Sequence, residues 1–230
     1  MIDPIRYLYE NYSFEKSQIR ELITGLRYLA VLLKNGEIGV CATLSNDFDL
    51  SLDDFDKPNL NDFRHRILLN AYYNAIFNTE KNDYKYGDIT EIIDFKNIKD
   101  LVMIGYFRPV VEKFQKAGIN VHIFDLKNKE VTVPMEFQKN YLKKCDAAIV
   151  TATTFYNNTF LDITENCSGD IYILGPSTIM HPYIFEFSNV KYLFGSLFER
   201  NDNRVLDIIG QDLGTRHFLK LGKKVFLNQE

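Results

Sequence analysis

The segment CDAAIVTATTFYNNT, residues 145–159, decides the fold of this chain. Its first part, residues 147–151, is a short apolar run of the kind that forms a buried strand, and a polar turn and a helical pattern follow it. The same alternation of apolar run and amphipathic segment begins at about residue 101 and continues toward the end of the chain. Such repetition predicts βαβ units wound around a parallel sheet.

The second half of the chain contains five predicted strands and five predicted helical segments. The strands are predicted at residues 101–105, 120–125, 147–151, 171–174 and 191–194. The helical segments are predicted at residues 109–117, 134–144, 158–165, 182–187 and 203–210. A last run, residues 223–227, is predicted to form an edge strand.

The first hundred residues do not follow this rhythm. Residues 19–33 suit either a helix or a hairpin, and Gly25, the β-branched residues and the turn at Lys34-Asn35-Gly36 favour the hairpin. An Asn-Gly pair is typical of a type I′ turn, so residues 38–44 are predicted to be the returning strand.

The rest of this half is predicted to contain one clear helix. Residues 61–78 have an Asn or Asp cap and helical apolar spacing, whereas residues 47–62 form an acidic loop and residues 79–88 a polar linker. We therefore predict two domains of an α/β protein. Residues 1–90 form a small α+β domain, and residues 91–230 form an α/β domain with a mostly parallel sheet.

Composition and charge narrow the classes of partner. The chain has 230 residues, of which 46% are hydrophobic and 25% charged, as in an ordinary globular protein. Its net charge is -4 and it has no basic cluster, so nucleic acid is not an expected partner. The apolar runs are too short to span a bilayer and the first residues lack a secretory-signal pattern, so we expect a cytoplasmic protein without a membrane partner. The apolar face of residues 63–77 suits either a core or a homodimer.

A glycine turn follows the first strand of the predicted parallel sheet. In the segment Gly105-Tyr106-Phe107-Arg108-Pro109, Gly105 allows a sharp turn and Pro109 suits the first turn of a helix. Ligands of such sheets bind at the carboxyl ends of the strands, where free helix N–H groups attract anions, so Gly105 and Phe107 are candidate binding residues. The segment lacks the G-x-G-x-x-G fingerprint, and an ordinary strand-to-helix turn explains it equally well.

Asp125 ends the next predicted strand, 20 residues after Gly105. A Rossmann domain places there an acid that hydrogen-bonds a ribose hydroxyl, so Asp125 is a candidate for binding a nucleoside. The alternative is a carboxylate that only stabilises its own turn, and the missing glycine fingerprint favours this alternative.

Two polar loops and a C-terminal turn complete the predicted ligand-binding cleft. The loop after the third strand holds more hydroxyls and carboxamides than one helix cap needs, which suits a polar ligand, although the loop can also cap its own helix. The Gly-Pro-Ser-Thr loop follows the fourth strand. The last turn adds a guanidinium, which suits carboxylate or phosphate and equally suits an exposed surface. The candidate ligand-binding residues of these segments are Thr151, Thr153, Thr154, Asn157, Asn158, Gly175, Pro176, Ser177, Thr178, Gly214, Thr215 and Arg216.

The residue spacing specifies no metal site. The four histidines are scattered, and the three cysteines are odd in number and lack a C-x-x-C pair, so neither a zinc ribbon nor a disulfide framework is predicted. His181 is retained as a candidate metal ligand, although a single histidine before a proline more often caps or packs. The cysteines are expected to be buried thiols.

The chain resembles the family described as putative heavy-metal chelation proteins in four motifs, which are VMIGYFRPVVEKF, CDAAIVTATTFYNNT, ILGPSTIMHP and GTRHFLKLGKKVFL. The resemblance covers most of residues 98–228, and the segments GEIGVCATL and NAYYNAIFN are similar to the small N-terminal domain of that family. The resemblance implies an enolase-N-terminal-like domain joined to a Rossmann-like domain, with a site in the cleft between them.

Two function hypotheses follow, and the sequence leaves open whether the chain catalyses a reaction. The first is binding of a heavy metal, a metal complex or another small anion in the interdomain cleft. A metal chelate is favoured over a bare ion, because no Cys, His or carboxylate cluster is apparent near the loops. The second is an enzyme that binds a nucleotide or an S-adenosylmethionine-like ligand through Gly105 and Asp125. A structural or regulatory role is a third alternative, because fold does not determine function.

Overall fold

In the computed structural model, which describes residues 1–44, 50–80, 84–128 and 130–229, ten strands form two sheets. The strands are β1 (Ile19–Thr24), β2 (Tyr28–Leu33), β3 (Ile38–Ala42), β4 (Lys85–Tyr86), β5 (Leu101–Ile104), β6 (Val121–Phe124), β7 (Ala147–Thr151), β8 (Asp170–Leu174), β9 (Val190–Phe198) and β10 (Gly222–Asn228).

Eight α-helices accompany the strands within the described residues. They are α1 (Pro4–Asn11), α2 (Phe63–Phe77), α3 (Ile89–Ile92), α4 (Arg108–Ala117), α5 (Gln138–Leu142), α6 (Phe160–Asn166), α7 (Asn203–Gly210) and α8 (Thr215–Phe218). The helix predicted at residues 182–187 is a 3-10 turn, Pro182–Glu186. None of the described helices is both long and apolar enough to cross a membrane.

The small sheet is an antiparallel meander in the order β1-β2-β3, which confirms the hairpin over the helix. The predicted type I′ turn is wrong. Three residues separate Leu33 from Glu37, the N–H of Gly36 donates to the carbonyl of Leu33, and only Gly36 of this loop has a positive φ, of 90°. A single left-handed glycine suits a three-residue hairpin loop with a bulge, whereas a type I′ turn would also require a positive φ at Asn35.

The large sheet has the order β4-β10-β9-β8-β7-β5-β6. The strands β5, β6, β7, β8 and β9 are parallel to one another, and β10 and β4 are antiparallel to their neighbours. The last run of the sequence does form a strand, but it does not lie at the edge, because the short β4 pairs with its outer side. This pairing adds a strand within the segment predicted to be a linker. The arrangement confirms the predicted α/β class, with a small antiparallel sheet and a larger, mostly parallel one.

Apolar residues alternate between the two faces of the parallel strands, and both faces are covered. Val102 and Val150 lie on the face that packs against α5 and α6, whereas Leu101 and Ile149 lie on the face that packs against α3 and α4. The C-terminal helices α7 and α8 pack instead on the small sheet, where Leu206, Ile209 and Phe218 contact apolar residues of β2 and β3. The two ends of the chain therefore share one core.

The small sheet lies against α2, and a glycine makes the close approach possible. A β-carbon on Gly39 would lie 2.1 Å from the carbonyl oxygen of Ala71 and 2.3 Å from the backbone nitrogen of Ala75. Both atoms belong to the helix backbone and cannot move away without disturbing α2.

We expect Gly39→Ala to lower the free energy of unfolding by about 3 kcal/mol or more, because the added methyl group overpacks this contact. Gly210→Ala is the matched control, since the nearest atom to its β-carbon lies at 3.4 Å and the residue is exposed at the last position of α7. The control should leave stability unchanged or raise it by up to about 1 kcal/mol. Urea unfolding of both variants measures the difference, and equal effects would contradict the packing argument.

Candidate functional site

The strand order reverses at β5, which marks a position for ligands on the large sheet. β6 pairs on one side of β5 and β7 pairs on the other. The chain leaves β5 toward α4 on one face and leaves β7 toward α6 on the opposite face. At such a point the loops of a doubly wound sheet diverge and leave a crevice at the carboxyl ends of the strands, where ligands usually bind. We call this place the crevice.

Four of the predicted residues meet at this crevice: Gly105, Phe107, Thr151 and Gly175. The two glycines have positive φ angles, of 92° and 134°. A β-carbon on Gly105 would lie 3.0 Å from the Cβ atom of Thr151 and 3.7 Å from the Phe107 ring, and a β-carbon on Gly175 would lie 3.9 Å from the same ring. The Phe107 ring therefore lies between two glycine turns, whose backbone carries no side chain of its own.

Asp125 joins the two loops at the outer end of the crevice. Its Oδ2 accepts a hydrogen bond of 3.1 Å from the backbone N–H of Tyr106. Its Oδ1 accepts hydrogen bonds from the backbone N–H of Lys127 (2.8 Å) and from the backbone and side-chain amides of Asn128 (3.0 and 2.8 Å). Asp125 therefore stabilises its own turn, which is the alternative to ribose binding that the sequence analysis favoured. A ribose hydroxyl would have to add to these bonds or replace one of them.

An open groove of about 470 Å³ lies beside these two loops. Its volume falls within the range of about 300 to 1,000 Å³ that is typical of small-molecule pockets. Arg108 is paired with Glu112 at 2.8 Å, whereas the ammonium group of Lys127 donates to the carbonyl of Leu44 at 2.6 Å. The groove is lined by Tyr106, Arg108, Lys127, Asn128, Glu130 and Val131.

The threonine-rich loop after β7 bonds largely to itself. Thr151 Oγ1 accepts from the N–H of Thr153 at 3.3 Å and lies 3.2 Å from the Thr153 hydroxyl, and the Thr154 hydroxyl donates to the carbonyl of Thr151 at 2.8 Å. Thr153 and Thr154 are buried, whereas Thr151 is half-buried. Of the three hydroxyls, that of Thr151 is the best placed to reach a ligand.

Asn157 and Asn158 have local roles. Asn157 Oδ1 accepts hydrogen bonds from the backbone N–H (3.1 Å) and the hydroxyl (2.6 Å) of Thr159. Asn158 is exposed and has a positive φ of 63°. Both residues shape the start of α6, as a loop that caps its own helix would.

A segment of the small sheet, residues 42–44, crosses the carboxyl edge of the large sheet; we call it the roof segment. The N–H of Ala42 donates to Ser177 Oγ at 2.9 Å, and the hydroxyl of Tyr156 donates to the carbonyl of Ala42 at 2.6 Å. With the bond from Lys127 to Leu44, the roof segment contacts the loops after β6, β7 and β8. The acidic loop predicted at residues 47–62 follows it, and its residues 47–49 lie outside the described residues.

Helix α2 holds the loop after β8 through a row of buried polar side chains. Arg66, Asn70, Asn74 and Asn78 recur every four residues and so share one helix face, and all four are at most 2% exposed. We call this row the polar stripe. None of these residues was predicted as part of a site, because only the apolar positions of the helix were considered, although the fourfold spacing was visible.

The three asparagines bind the backbone of the loop after β8. The side-chain amide of Asn74 donates to the carbonyls of Pro176 (3.1 Å) and Thr178 (2.9 Å), and its oxygen accepts from the N–H of Val40 (3.0 Å). The amides of Asn70 and Asn78 donate to the carbonyls of Ser177 (2.9 Å) and Thr178 (2.8 Å). Pro176, Ser177 and Thr178 therefore connect the two sheets, and Gly175 of the same loop lies beside the Phe107 ring.

Arg66 makes the equivalent contact to the loop after β7. Its guanidinium donates to the carbonyls of Phe155 (2.7 Å) and Tyr156 (2.8 Å) and forms an ion pair of 2.7 Å with Asp3. A buried guanidinium needs such a full set of acceptors, because an unpaired buried charge is costly. The loops after β7 and β8 are thus fixed by one helix.

The segment Gly214-Thr215-Arg216 lies beside Arg27 and not at the crevice loops. A β-carbon on Gly214 would lie 3.2 Å from the guanidinium of Arg27, and the carbonyl of Arg27 accepts the N–H of Thr43 at 3.0 Å. This turn is therefore linked to the roof segment through Arg27, a second exposed guanidinium that was not predicted from the sequence. Arg216 is exposed, and no hydrogen bond among the described residues joins it to the crevice loops.

His181 caps the 3-10 turn Pro182–Glu186 and packs against aromatic rings, which is the alternative to metal binding given in the sequence analysis. Its Nδ1 accepts the N–H of Tyr183 at 3.1 Å, and its Nε2 lies 2.8 Å from the hydroxyl of Tyr12. A ring that accepts at Nδ1 is neutral and carries its proton on Nε2. Burial lowers the pKa of His181 to about 4. Both ring nitrogens already have partners within the protein.

The crevice does not fit a bare heavy-metal ion through the described side chains. Among these residues, no three of His, Cys, Asp and Glu come together to hold a metal ion. Cys41 lies under the roof segment and is fully buried; burial raises its pKa well above the usual value, and the side chains of Ser177 and Asn70 offset this only in part. Thr151, whose side chain lies against Gly105, contributes a neutral hydroxyl to this region, and such a group suits a polar molecule better than a heavy metal.

The comparisons with known proteins agree with this architecture. A family model named DUF364 and described as putative heavy-metal chelation matches residues 88–228, and a second with the same description, DUF4213, matches residues 7–83. No curated protein matches the chain.

Two solved structures have the same fold. One, from Pyrococcus horikoshii, is 23% identical with a TM-score of 0.76, covering 92% of this chain and 93% of its own. The other, from Desulfitobacterium hafniense DCB-2, is 17% identical with a TM-score of 0.77, covering 97% of this chain and 100% of its own. Both are described as DUF364 proteins of unknown function, and at these identities the likeness concerns the fold alone.

We expect Asn74→Ala to lower the free energy of unfolding by about 3 to 5 kcal/mol, because it leaves buried backbone groups of two segments without partners. Asn11→Ala is the control, since the exposed amide of Asn11 makes one bond to the carbonyl of Tyr7. It should cost less than about 1 kcal/mol. Urea denaturation of both variants tests the difference, and a loss under about 1 kcal/mol in Asn74→Ala would contradict the role of the polar stripe.

His181 should make the protein less stable in mild acid. In the unfolded chain His181 binds a proton at the ordinary histidine pKa of 6.5, whereas in the folded chain it does so only at about pH 4. The contribution of neutral His181 to the free energy of unfolding is therefore fully present above pH 6.5 and is lost as the pH falls from 6.5 to 4. The loss should reach about 3 kcal/mol. Unfolding measured from pH 7 to 4 should show a smaller loss in His181→Gln, and an unchanged pH dependence in that variant would count against this assignment.

Proposed function

This chain belongs to the DUF364 family, described as putative heavy-metal chelation, and we propose that it binds an anionic metal chelate or a similar small anion in the crevice at the carboxyl edge of its parallel sheet. The observation that carries the proposal is the Phe107 ring between Gly105 and Gly175, with the Cβ and methyl group of Thr151 against Gly105. Two glycine turns, one aromatic ring and the half-buried Thr151 side chain form a small polar and apolar surface of the kind that ligand sites use.

The charges around the crevice favour an anion. Lys127 lies on the groove beside the loops after β5 and β6, and its ammonium group reaches the roof segment. Arg27 is exposed, and its backbone carbonyl accepts the N–H of Thr43. Lys127 bonds the roof segment through its ammonium group and Arg27 through its backbone carbonyl, so two cationic residues adjoin residues 42–44, where they would favour an anionic ligand.

The donor set favours a chelate over a bare ion. Heavy metals prefer thiolate and imidazole ligands, whereas the predicted residues that meet at the crevice contribute one hydroxyl, one aromatic ring and two glycine turns. A metal that is already held by a small organic anion presents oxygens to the protein. Such oxygens match backbone N–H groups and ammonium groups.

A nucleotide or S-adenosylmethionine-like ligand is the alternative proposal. It is supported by the position of Asp125, which bonds the N–H of Tyr106 directly after Gly105. In this case the ribose would lie over the same outer loops. The two ligand classes are distinguished by one screen.

We expect a thermal-shift screen to detect the ligand, since a ligand at 100 times its Kd stabilises the folded protein by about 2.7 kcal/mol. The probes are divalent and ferric ions alone, the same ions with citrate, ATP and S-adenosylmethionine. The proposal predicts a shift with the metal–citrate complex that exceeds the shift with either component.

Variants locate the binding. Phe107→Ala and Lys127→Ala should each weaken the shift by about tenfold in ligand concentration, which corresponds to about 1.4 kcal/mol. Lys191→Ala is the matched control, because Lys191 also donates to a backbone carbonyl, that of Ser188 at 2.7 Å, but does so at the amino end of β9. A shift with nucleosides alone, lost in Asp125→Asn, would replace the chelate by the alternative. A shift insensitive to Phe107 and Lys127 would contradict the crevice.

A further inference from the structure

Two cysteine thiols meet at the amino edge of the large sheet. The sulfur atoms of Cys145 and Cys167 are 3.5 Å apart. Cys145 lies just before β7, and Cys167 is the residue that caps the C-terminal end of α6, shortly before β8. The five residues of β7 separate this edge from the crevice by about 15 Å, so the thiol pair and the crevice are different places in the fold.

The backbone, and not the sulfur contact, brings these thiols together. A β-carbon on Gly169 would lie 2.2 Å from the carbonyl oxygen of Asp146, so only glycine permits the two segments to touch. The N–H of Ser168 donates to the carbonyl of Leu142 at 3.0 Å, and the N–H of Asp170 donates to that of Asp146 at 3.1 Å. The two sulfurs are therefore held in place before any ligand arrives, which reduces the entropy that binding would cost.

The pair is buried and surrounded by oxygen atoms. Cys145 is 3% exposed and Cys167 is 8% exposed. The sulfur of Cys145 lies 3.3 Å from the carbonyl oxygen of Leu142, and the sulfur of Cys167 lies 3.5 Å from that of Gly169. Both sulfurs are placed to donate S–H to these carbonyls, so the resting pair is a dithiol that must lose two protons when it binds a metal.

We propose that Cys145 and Cys167 form a chelating dithiolate site for a soft divalent metal ion. On binding, two S–H bonds break, two sulfur–metal bonds form and two protons leave to solvent, so no electrons are transferred. Two thiolates and a divalent ion form a neutral group, and a neutral group is the form that a buried site tolerates. Thiolate sulfur also selects soft metals over magnesium or calcium.

The sulfur separation is close to what chelation requires. With sulfur–metal bonds of about 2.3 Å, two thiolates on one ion lie about 3.8 Å apart at a tetrahedral angle and about 4.6 Å apart in a linear arrangement. From 3.5 Å, the pair must open by a few tenths of an ångström to about 1 Å. Small rotations of the two side chains supply this.

The test is retention of Hg²⁺ by the reduced full-length protein in an excess of a competing monothiol. A chelating pair outcompetes single thiols, because its second sulfur binds intramolecularly at high effective concentration. After desalting, we expect one Hg²⁺ per chain and a sulfur-to-metal charge-transfer band in the ultraviolet. Cys145→Ser and Cys167→Ser should each retain at least tenfold less mercury, and Cys41→Ser should retain as much as the unmodified protein.

Two measurements guard against misfolded variants and against a redox pair. If a serine variant does not fold, the corresponding alanine variant takes its place. In the unmodified protein, bound Hg²⁺ should protect Cys145 and Cys167, but not Cys41, from alkylation when the protein is unfolded. The proposal is overturned by mercury retention that follows Cys41, by retention that survives loss of either paired cysteine, or by a Cys145–Cys167 disulfide in protein that retains no mercury after reduction. The crevice variants do not change these thiols. A negative mercury result therefore does not affect the proposal of chelate binding in the crevice, and a negative chelate result does not affect the dithiolate proposal.

Discussion

The polar stripe on α2 is the interaction on which the rest of this structure depends. Arg66, Asn70, Asn74 and Asn78 lie between the small sheet and the loops at the carboxyl edge of the large sheet, and each is buried. Apolar packing alone would let two such surfaces slide, because it has little directionality. Hydrogen bonds from carboxamides to named carbonyls fix one alignment, since a shift would leave buried polar groups without partners.

The geometry of the crevice follows from this alignment. The asparagines fix the loop after β8, Arg66 fixes the loop after β7, and β3 carries the roof segment to the same edge. Two buried acceptors in this region, Asn70 Oδ1 and Thr178 Oγ1, have no partner among the described residues, so the network is not fully satisfied there. Phe107 and Lys127, by contrast, belong to the loops after β5 and β6; Phe107 packs against the core on that face, and Lys127 bonds the carbonyl of Leu44.

The sequence predicted the parallel sheet well because its strands are buried on both faces and appear as short apolar runs. The bounds of β7 and α7 agree with the predicted ranges, and the turns at Gly105 and Gly175 were found at strand ends. The hairpin loop was assigned to the wrong type, since Asn-Gly also suits a three-residue loop. The sequence predicted less of the site, because its framework depends on tertiary contacts. Buried asparagines on α2 look like surface residues until the loop that they bind is known. The contact between Cys145 and Cys167 depends on Gly169 and on the pairing of β7 with β8, so spacing along the chain could not reveal it.

The most direct test of this account is the cooperativity of unfolding across the two sheets. Amide hydrogen exchange, measured by mass spectrometry in increasing urea, reports β2–β3 and β7–β8 separately. If the polar stripe joins the two sheets into one unit, both pairs of strands lose protection at the same urea concentration, and Asn74→Ala lowers that concentration for both. Loss of protection in β2–β3 at clearly lower urea, with β7–β8 intact and unaffected by Asn74→Ala, would contradict the account.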